Sequence, residues 1–207
     1  MGLLRYKILE DGSRLGVWEI AEDYQTLFQK TYLNDDDIRR LNSFKNLNRK
    51  IESLSVRALL QQMTRSDARI VYDPNSRKPL LADNSFNISV THSNKYTAIL
   101  LNKDRQVGID VEYMSHDIER LEHKFISDKE IISNDPIIRR KHLYVHWCAK
   151  EAIYKICGRD DIDFFKNIII QPFECEACGE IIGILRNEEY VISYVLENNY
   201  VLAYCVK

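Results

Sequence analysis

The chain has 207 residues, of which 45% are hydrophobic and 29% charged, a composition that supports a buried core and allows one large domain or two small ones. No apolar run approaches the roughly 20 residues a membrane helix needs, which argues against a membrane partner, and a formal net charge of −2 argues against a nucleic-acid coat, though a local basic patch is allowed. The opening residues Met-Gly-Leu-Leu-Arg-Tyr hold no signal-peptide core, and Tyr6 stands where N-myristoylation needs Ser or Thr, so a cytoplasmic protein with reduced cysteines is expected. Cys175 and Cys178 form a Cys-x-x-Cys, but no second pair with zinc-ligand spacing accompanies them.

Residues 14–20 alternate as a strand. From Tyr24 to about Met63 the pattern is helical, with Asn34-Asp35-Asp36-Asp37 as a helix start. In the later helix, Ile51, Leu54, Ala58 and Leu59 form an apolar stripe, and Arg49, Lys50 and Arg57 lie off it as solvated charges or phosphate contacts. Residues 73–79, Asp-Pro-Asn-Ser-Arg-Lys-Pro, are a turn with Arg77 and Lys78 at its exit. Phe86–Leu101 reads as two strands joined by a short polar turn, with His92 near the turn.

In Gly108-Ile109-Asp110-Val111-Glu112 the two acids stand two apart in a strand, so both carboxylates leave from one side. Residues 117–132 carry a helix that buries Ile118, Leu121 and Phe125, and Ser127 followed by Glu130 resembles a capping box opening another. Arg139-Arg140-Lys141-His142 lead into a helix containing Trp147–Lys155 and closed by Gly158. Glu151 and Lys155, four apart, share one face of it. Phe164–Ile170, Glu180–Leu185, Tyr190–Leu196 and Tyr200–Val206 read as strands of the scaffold.

Ile88, Ser89, Asn94 and Tyr96 recur as Ile192, Ser193, Asn198 and Tyr200 at a constant spacing of about half the chain. Ile51, Ala58 and Leu59 line up with Val145, Ala152 and Ile153, so helix and hairpin repeat in the same order. The expectation is an α+β fold of two similar halves, 1–105 and 106–207, packed as an intramolecular pseudo-dimer with the active site in the cleft between them. The first half would supply basic groups and the second the acidic ones.

Three carboxylates converging on one point repel one another unless a cation binds between them. Asp110, Glu112 and Glu151 offer oxygen alone, which suits Mg²⁺ or Mn²⁺ better than zinc. Magnesium in turn favours phosphate oxygens, so a phosphate ester or pyrophosphate substrate follows.

Gly108-Ile109-Asp110-Val111-Glu112 with Trp147-x-x-Lys150-Glu151-Ala152-x-x-Lys155 resembles the two signature motifs of the 4′-phosphopantetheinyl transferases. Arg77-Lys78-Pro79 is similar to that family's Gly-Lys-Pro turn, and Ser89-Val90-Thr91-His92-Ser93 to its Ser-x-Ser-His-Ser segment. The length is similar to the larger, pseudo-dimeric, surfactin-synthetase-activating class, which implies a monomer. The resemblance implies a holo-acyl-carrier-protein synthase type of activity: transfer of the phosphopantetheine arm of coenzyme A to a serine of an acyl or peptidyl carrier protein, releasing adenosine 3′,5′-bisphosphate. Asp110, Glu112 and Glu151 match its Mg²⁺ ligands, and Lys155 its phosphate-contacting lysine. Lys78 and His92, with Arg77, Thr91 and Ser93 beside them, match the coenzyme A-binding segments, and Arg49 lies near the N-terminal basic contact. Glu151 and then Glu130, which matches the glutamate of a Phe-x-x-x-x-Glu segment, are the candidates for the general base. Arg77 departs from the family's glycine and Thr91 from its serine. Lys124, Lys129 and Arg139-Arg140-Lys141 are expected to help dock an acidic carrier protein. The competing readings are a module that binds coenzyme A or a carrier without chemistry, and a metal-dependent pyrophosphate hydrolase.

Overall fold

The computed structural model describes residues 2–64, 68–115, 117–158 and 161–207, and the chain divides into two compact units, Met1–Asp104 and Arg105–Lys207. Helices and antiparallel sheets occur in both, so the chain is α+β.

The first unit runs β1 (Leu3–Ile8), β2 (Arg14–Glu19), α1 (Tyr24–Lys30), α2 (Asp35–Ser43), α3 (Leu47–Thr64), β3 (Ile70–Tyr72), β4 (Pro79–Leu81), β5 (Asn87–Ser93) and β6 (Tyr96–Asn102). Its main sheet has the order β1-β2-β6-β5, and β3 pairs with β4 in a separate hairpin. The helix start at Asn34 is a full capping box: the Asn34 side chain accepts from Asp37 N at 3.0 Å, and the Asp37 carboxylate accepts from Asn34 N. Leu54, Leu59 and Met63 of α3 join Trp18, Ile99 and Leu101 of the sheet in the core. Ser55 Oγ lies 2.6 Å from Thr97 Oγ1 and pins the helix to β6.

Arg57 corrects the expectation of a solvated α3 face. It is buried, and its guanidinium donates to Asp37 Oδ1 and, at 3.2 Å, to Ser53 O. Its charge is spent inside the fold, since a buried cation persists only with a partner. The sequence reading also passed over β1 and the β3–β4 pair.

The second unit runs β7 (Val107–Tyr113), a 3₁₀ helix (Ile118–Lys124), α4 (Pro136–Cys157), α5 (Phe164–Asn167), β8 (Ile168–Ile170), β9 (Cys178–Leu185), β10 (Glu188–Leu196) and β11 (Tyr200–Val206). Its sheet has the order β7-β11-β10-β9-β8. Asp135 caps α4 by accepting from Ile137 N and Ile138 N, both at 3.0 Å, and Pro136 takes the first turn, where no donor is needed. Gly158 ends the helix at φ 55°, in the left-handed region glycine enters without strain.

Three expectations fail here. The helix expected over 117–132 is one short 3₁₀ helix, although Ile118 and Phe125 are buried as expected. No helix follows Ser127: Ser127 N donates to Glu130 Oε2 at 2.9 Å as a capping box would, but the chain turns away. Phe164–Asn167 is also a helical turn, with only Ile168–Ile170 extended. In each unit a strand, a long helix and a hairpin follow in that order, and the hairpin's second strand lies beside the earlier strand, β6 by β2 and β11 by β7.

Candidate active site

β7 and α4 approach closely because Gly108 lets them. A Cβ at Gly108 would lie 1.9 Å from the Ala152 carbonyl oxygen, so neither strand nor helix could keep its place with a larger residue there. Two residues on, Asp110 is buried, and Glu112 leaves the same side of the strand half-buried.

Trp147, Glu151 and Lys155 succeed one another at one-turn intervals on α4. The Trp147 indole Nε1 donates to Glu112 Oε1 at 3.2 Å, and its ring packs against Phe125 and Phe164. Lys155 Nζ donates to Asp110 Oδ1 at 2.7 Å and to Ile109 O at 2.9 Å. Glu151 therefore lies between two anchored residues. Burial pushes its carboxyl up to about 7; Asp110 and Glu112 push the same way, and Lys155 opposes them. Cys148 sits by Asp110, its thiol held well above the usual range by burial and then by the charges of Asp110 and Glu112.

The donor chemistry suits a hard divalent cation, since three oxygen-bearing side chains share a patch where their charges oppose one another. Among the described residues no group of three or more His, Cys, Asp or Glu side chains is already assembled as a metal site. Asp110, Glu112 and Glu151 would have to turn toward a shared ion.

Glu130, the second candidate base, is held inside the fold. Its side chain is fully buried; Oε2 accepts from Lys150 Nζ at 2.7 Å and from Ser127 N, and Oε1 accepts from Ile170 N at 2.9 Å. A general base must reach the proton it removes, and this carboxylate reaches only the chain's own donors. Lys150, also fully buried, donates to the Phe125 and Phe164 carbonyls as well. Burial lowers its ammonium, against the pull of Glu130. The pair ties the turn after the 3₁₀ helix, and the start of β8, to α4. Nearby His146 is buried and neutral, pushed down to about 3 by burial.

The basic segment at the start of α4 is largely committed within the unit. Arg139 makes a two-pronged pair with Glu122 at 2.6 and 2.8 Å, and Arg140 meets Glu119 at 3.1 Å. Lys124, Lys129 and Lys141 are exposed.

In the first unit the structure brings Arg49 and His92 together through a residue the sequence reading missed. Glu52 Oε2 lies 3.2 Å from Arg49 Nη1 and 3.3 Å from His92 Nδ1, and Arg49 Nη1 lies 3.4 Å from His92 Nε2. The available signal was that Arg49 and Glu52, three apart, share a helix face. Thr91 is buried while Ser93 is half-buried. Arg77 and half-buried Lys78 belong to the β3–β4 hairpin, closed by Asp73 N donating to Lys78 O at 3.0 Å. Arg77 sits at φ 57°, so the position where the resembling family has glycine keeps a glycine-like conformation.

Residues 106–205 match the family model described as the 4′-phosphopantetheinyl transferase superfamily. The chain is also similar to the 4′-phosphopantetheinyl transferase HetI of Nostoc sp. (strain PCC 7120 / SAG 25.82 / UTEX 2576), with 27% identity over 143 residues. That match covers 61% of this chain and 60% of the relative's length. Among the described residues no helix is long and apolar enough to cross a membrane.

Proposed function

We propose that the protein transfers the 4′-phosphopantetheine arm of coenzyme A to a serine hydroxyl of an acyl or peptidyl carrier protein. The observation that carries this reading is the α4 face on which Trp147 and Lys155 anchor Glu112 and Asp110 on either side of Glu151, within the residues that the superfamily model matches. In the reaction the serine oxygen bonds to the β-phosphorus of coenzyme A, and the bond from that phosphorus to the bridging oxygen breaks, releasing adenosine 3′,5′-bisphosphate. Asp110, Glu112 and Glu151 would hold Mg²⁺ or Mn²⁺, which when bound neutralises charge on the pyrophosphate. Trp147 orients Glu112, and Lys155 keeps a positive charge beside Asp110 that can also meet a phosphate oxygen. Glu151 is the residue we assign to take the serine proton. Arg49, Arg77, Lys78, Thr91, His92 and Ser93 are assigned to the phosphates of coenzyme A, on the strength of their sequence segments and of the Arg49–His92 pairing.

The reading extends to a monomeric cytoplasmic enzyme of the pseudo-dimeric class. The strand, helix and hairpin order common to the two units supports the duplication. The test is to incubate the protein with coenzyme A, Mg²⁺ and an apo carrier protein, and to weigh the carrier by mass spectrometry. A phosphopantetheine adduct on the serine is expected. Nucleotide release without adduct would leave a hydrolase, and coenzyme A binding without either product would leave a binding module.

A further inference from the structure

We infer that Glu52 is the positioning residue of the anion site formed by Arg49 and His92. The inference rests on the assignment of those two residues to coenzyme A phosphates. A carboxylate at an anion site is unexpected, because its charge repels the ligand. Its geometry supplies a reason for it to be there. Glu52 Oε2 accepts from Arg49 Nη1 at 3.2 Å and lies 3.3 Å from His92 Nδ1, so one oxygen is within reach of both nitrogen-bearing side chains. His92 Nε2 in turn lies 3.4 Å from Arg49 Nη1, so the three side chains close on one another.

The rest of α3 supports this placement. Ser55, one turn along from Glu52, meets Thr97 at 2.6 Å, and Thr97 is the cross-strand partner of His92. One helix turn therefore grips both members of one β5–β6 rung, the first by its carboxylate and the second by its hydroxyl. Glu52 is the more sheltered member of its trio, its side chain 14% exposed against 59% for Arg49 and 33% for His92. The acid lies beneath, and the two nitrogen-bearing groups face outward above it. A phosphate arriving from solvent meets these two groups first, while Glu52 holds their spacing from below.

The test compares Glu52→Ala and Glu52→Gln with the wild type, using coenzyme A as the probe in calorimetry and in the carrier-modification assay. Gln keeps the size and an accepting oxygen but not the charge. For a lost charge-assisted hydrogen bond we expect Glu52→Ala to weaken coenzyme A binding and raise its KM by about tenfold or more, with kcat within about twofold. Glu52→Gln should recover most of that loss. Nitrogen NMR of His92 should show its ring signals shifted in Glu52→Ala relative to the wild type, a readout available in any folded variant. If Glu52→Ala bound coenzyme A as tightly as the wild type, or more tightly, Glu52 would be only a repulsive charge and the inference would be wrong. His92 ring signals in Glu52→Ala identical to those of the wild type would overturn it as well. Failure of the wild type itself to bind coenzyme A would instead remove the functional reading beneath it.

Discussion

Gly108→Ala tests whether the approach of β7 to α4 builds the site. The added Cβ would stand 1.9 Å from the Ala152 carbonyl oxygen, 2.9 Å from its carbonyl carbon and 3.0 Å from Ile156 Cγ1. The first two are backbone atoms of a capped, 22-residue helix and cannot swing aside as a side chain could. To reach an ordinary contact, strand and helix must part by more than about 1 Å, and overpacking of this kind costs about 3 kcal/mol. For a chain of this size that is a fall in Tm of roughly 6–12 °C. The same displacement moves Asp110 and Glu112 away from Glu151, and a misplacement of about 1 Å can cost roughly a hundredfold in rate. Thermal denaturation followed by circular dichroism reads the first effect, and carrier modification under saturating coenzyme A reads the second. A variant melting within about 2 °C of the wild type and keeping more than half its activity would refute the argument, since a loss of that size is under 1 kcal/mol.

Glu130→Ala should destabilise the protein by about 3–5 kcal/mol in urea titrations by stranding the Lys150 ammonium, whereas the double change Glu130→Leu with Lys150→Met should recover much of that loss. A catalytic Glu130 would instead show lost activity with unchanged stability. Asp110→Ala and Glu151→Gln should abolish transfer to the carrier while circular dichroism stays native; activity retained by either at high Mg²⁺ would remove that residue from the proposed site. Arg77→Gly should raise stability by roughly 0.5–1 kcal/mol, because φ 57° strains a residue with a Cβ, and a calorimetric scan checks it. His146, about 3 in the fold against 6.5 unfolded, binds fewer protons in the native state between those values. Stability is therefore full above pH 6.5 and falls as the solution is acidified, by about 2 kcal/mol at pH 5 from this residue. His146→Asn should flatten the slope of stability against pH in that range.

The motif segments were legible because their physics is local. Period-two spacing puts Asp110 and Glu112 on one side of a strand, period-four spacing puts Glu151 with Lys155, and Asn34 with Asp37 spells a cap within four residues. What escaped depended on partners far away in sequence. Arg57 read as a surface charge because its partner Asp37 is twenty residues back. Glu130 read as a cap or a base because nothing nearby announces that Lys150 lies beneath it. In β1, Leu3, Leu4, Tyr6 and Ile8 are exposed, so the strand has no alternation between a wet face and a dry one to betray it. Glu52 was overlooked for a simpler reason: an acid among bases on a helix looks like an ordinary surface pair until His92 is brought to it from β5.

The hydrogen bond from Trp147 to Glu112 gives the protein a built-in optical probe. Indole emission responds to the charge and hydrogen bonding at its ring nitrogen, and here that nitrogen touches one of the three carboxylates directly. The chain has only two tryptophans, and the other, Trp18, belongs to the first unit. With Trp18 replaced by Phe, the remaining fluorescence would come from Trp147 alone, and events at Glu112 could be followed as a colour change without label, carrier protein or turnover.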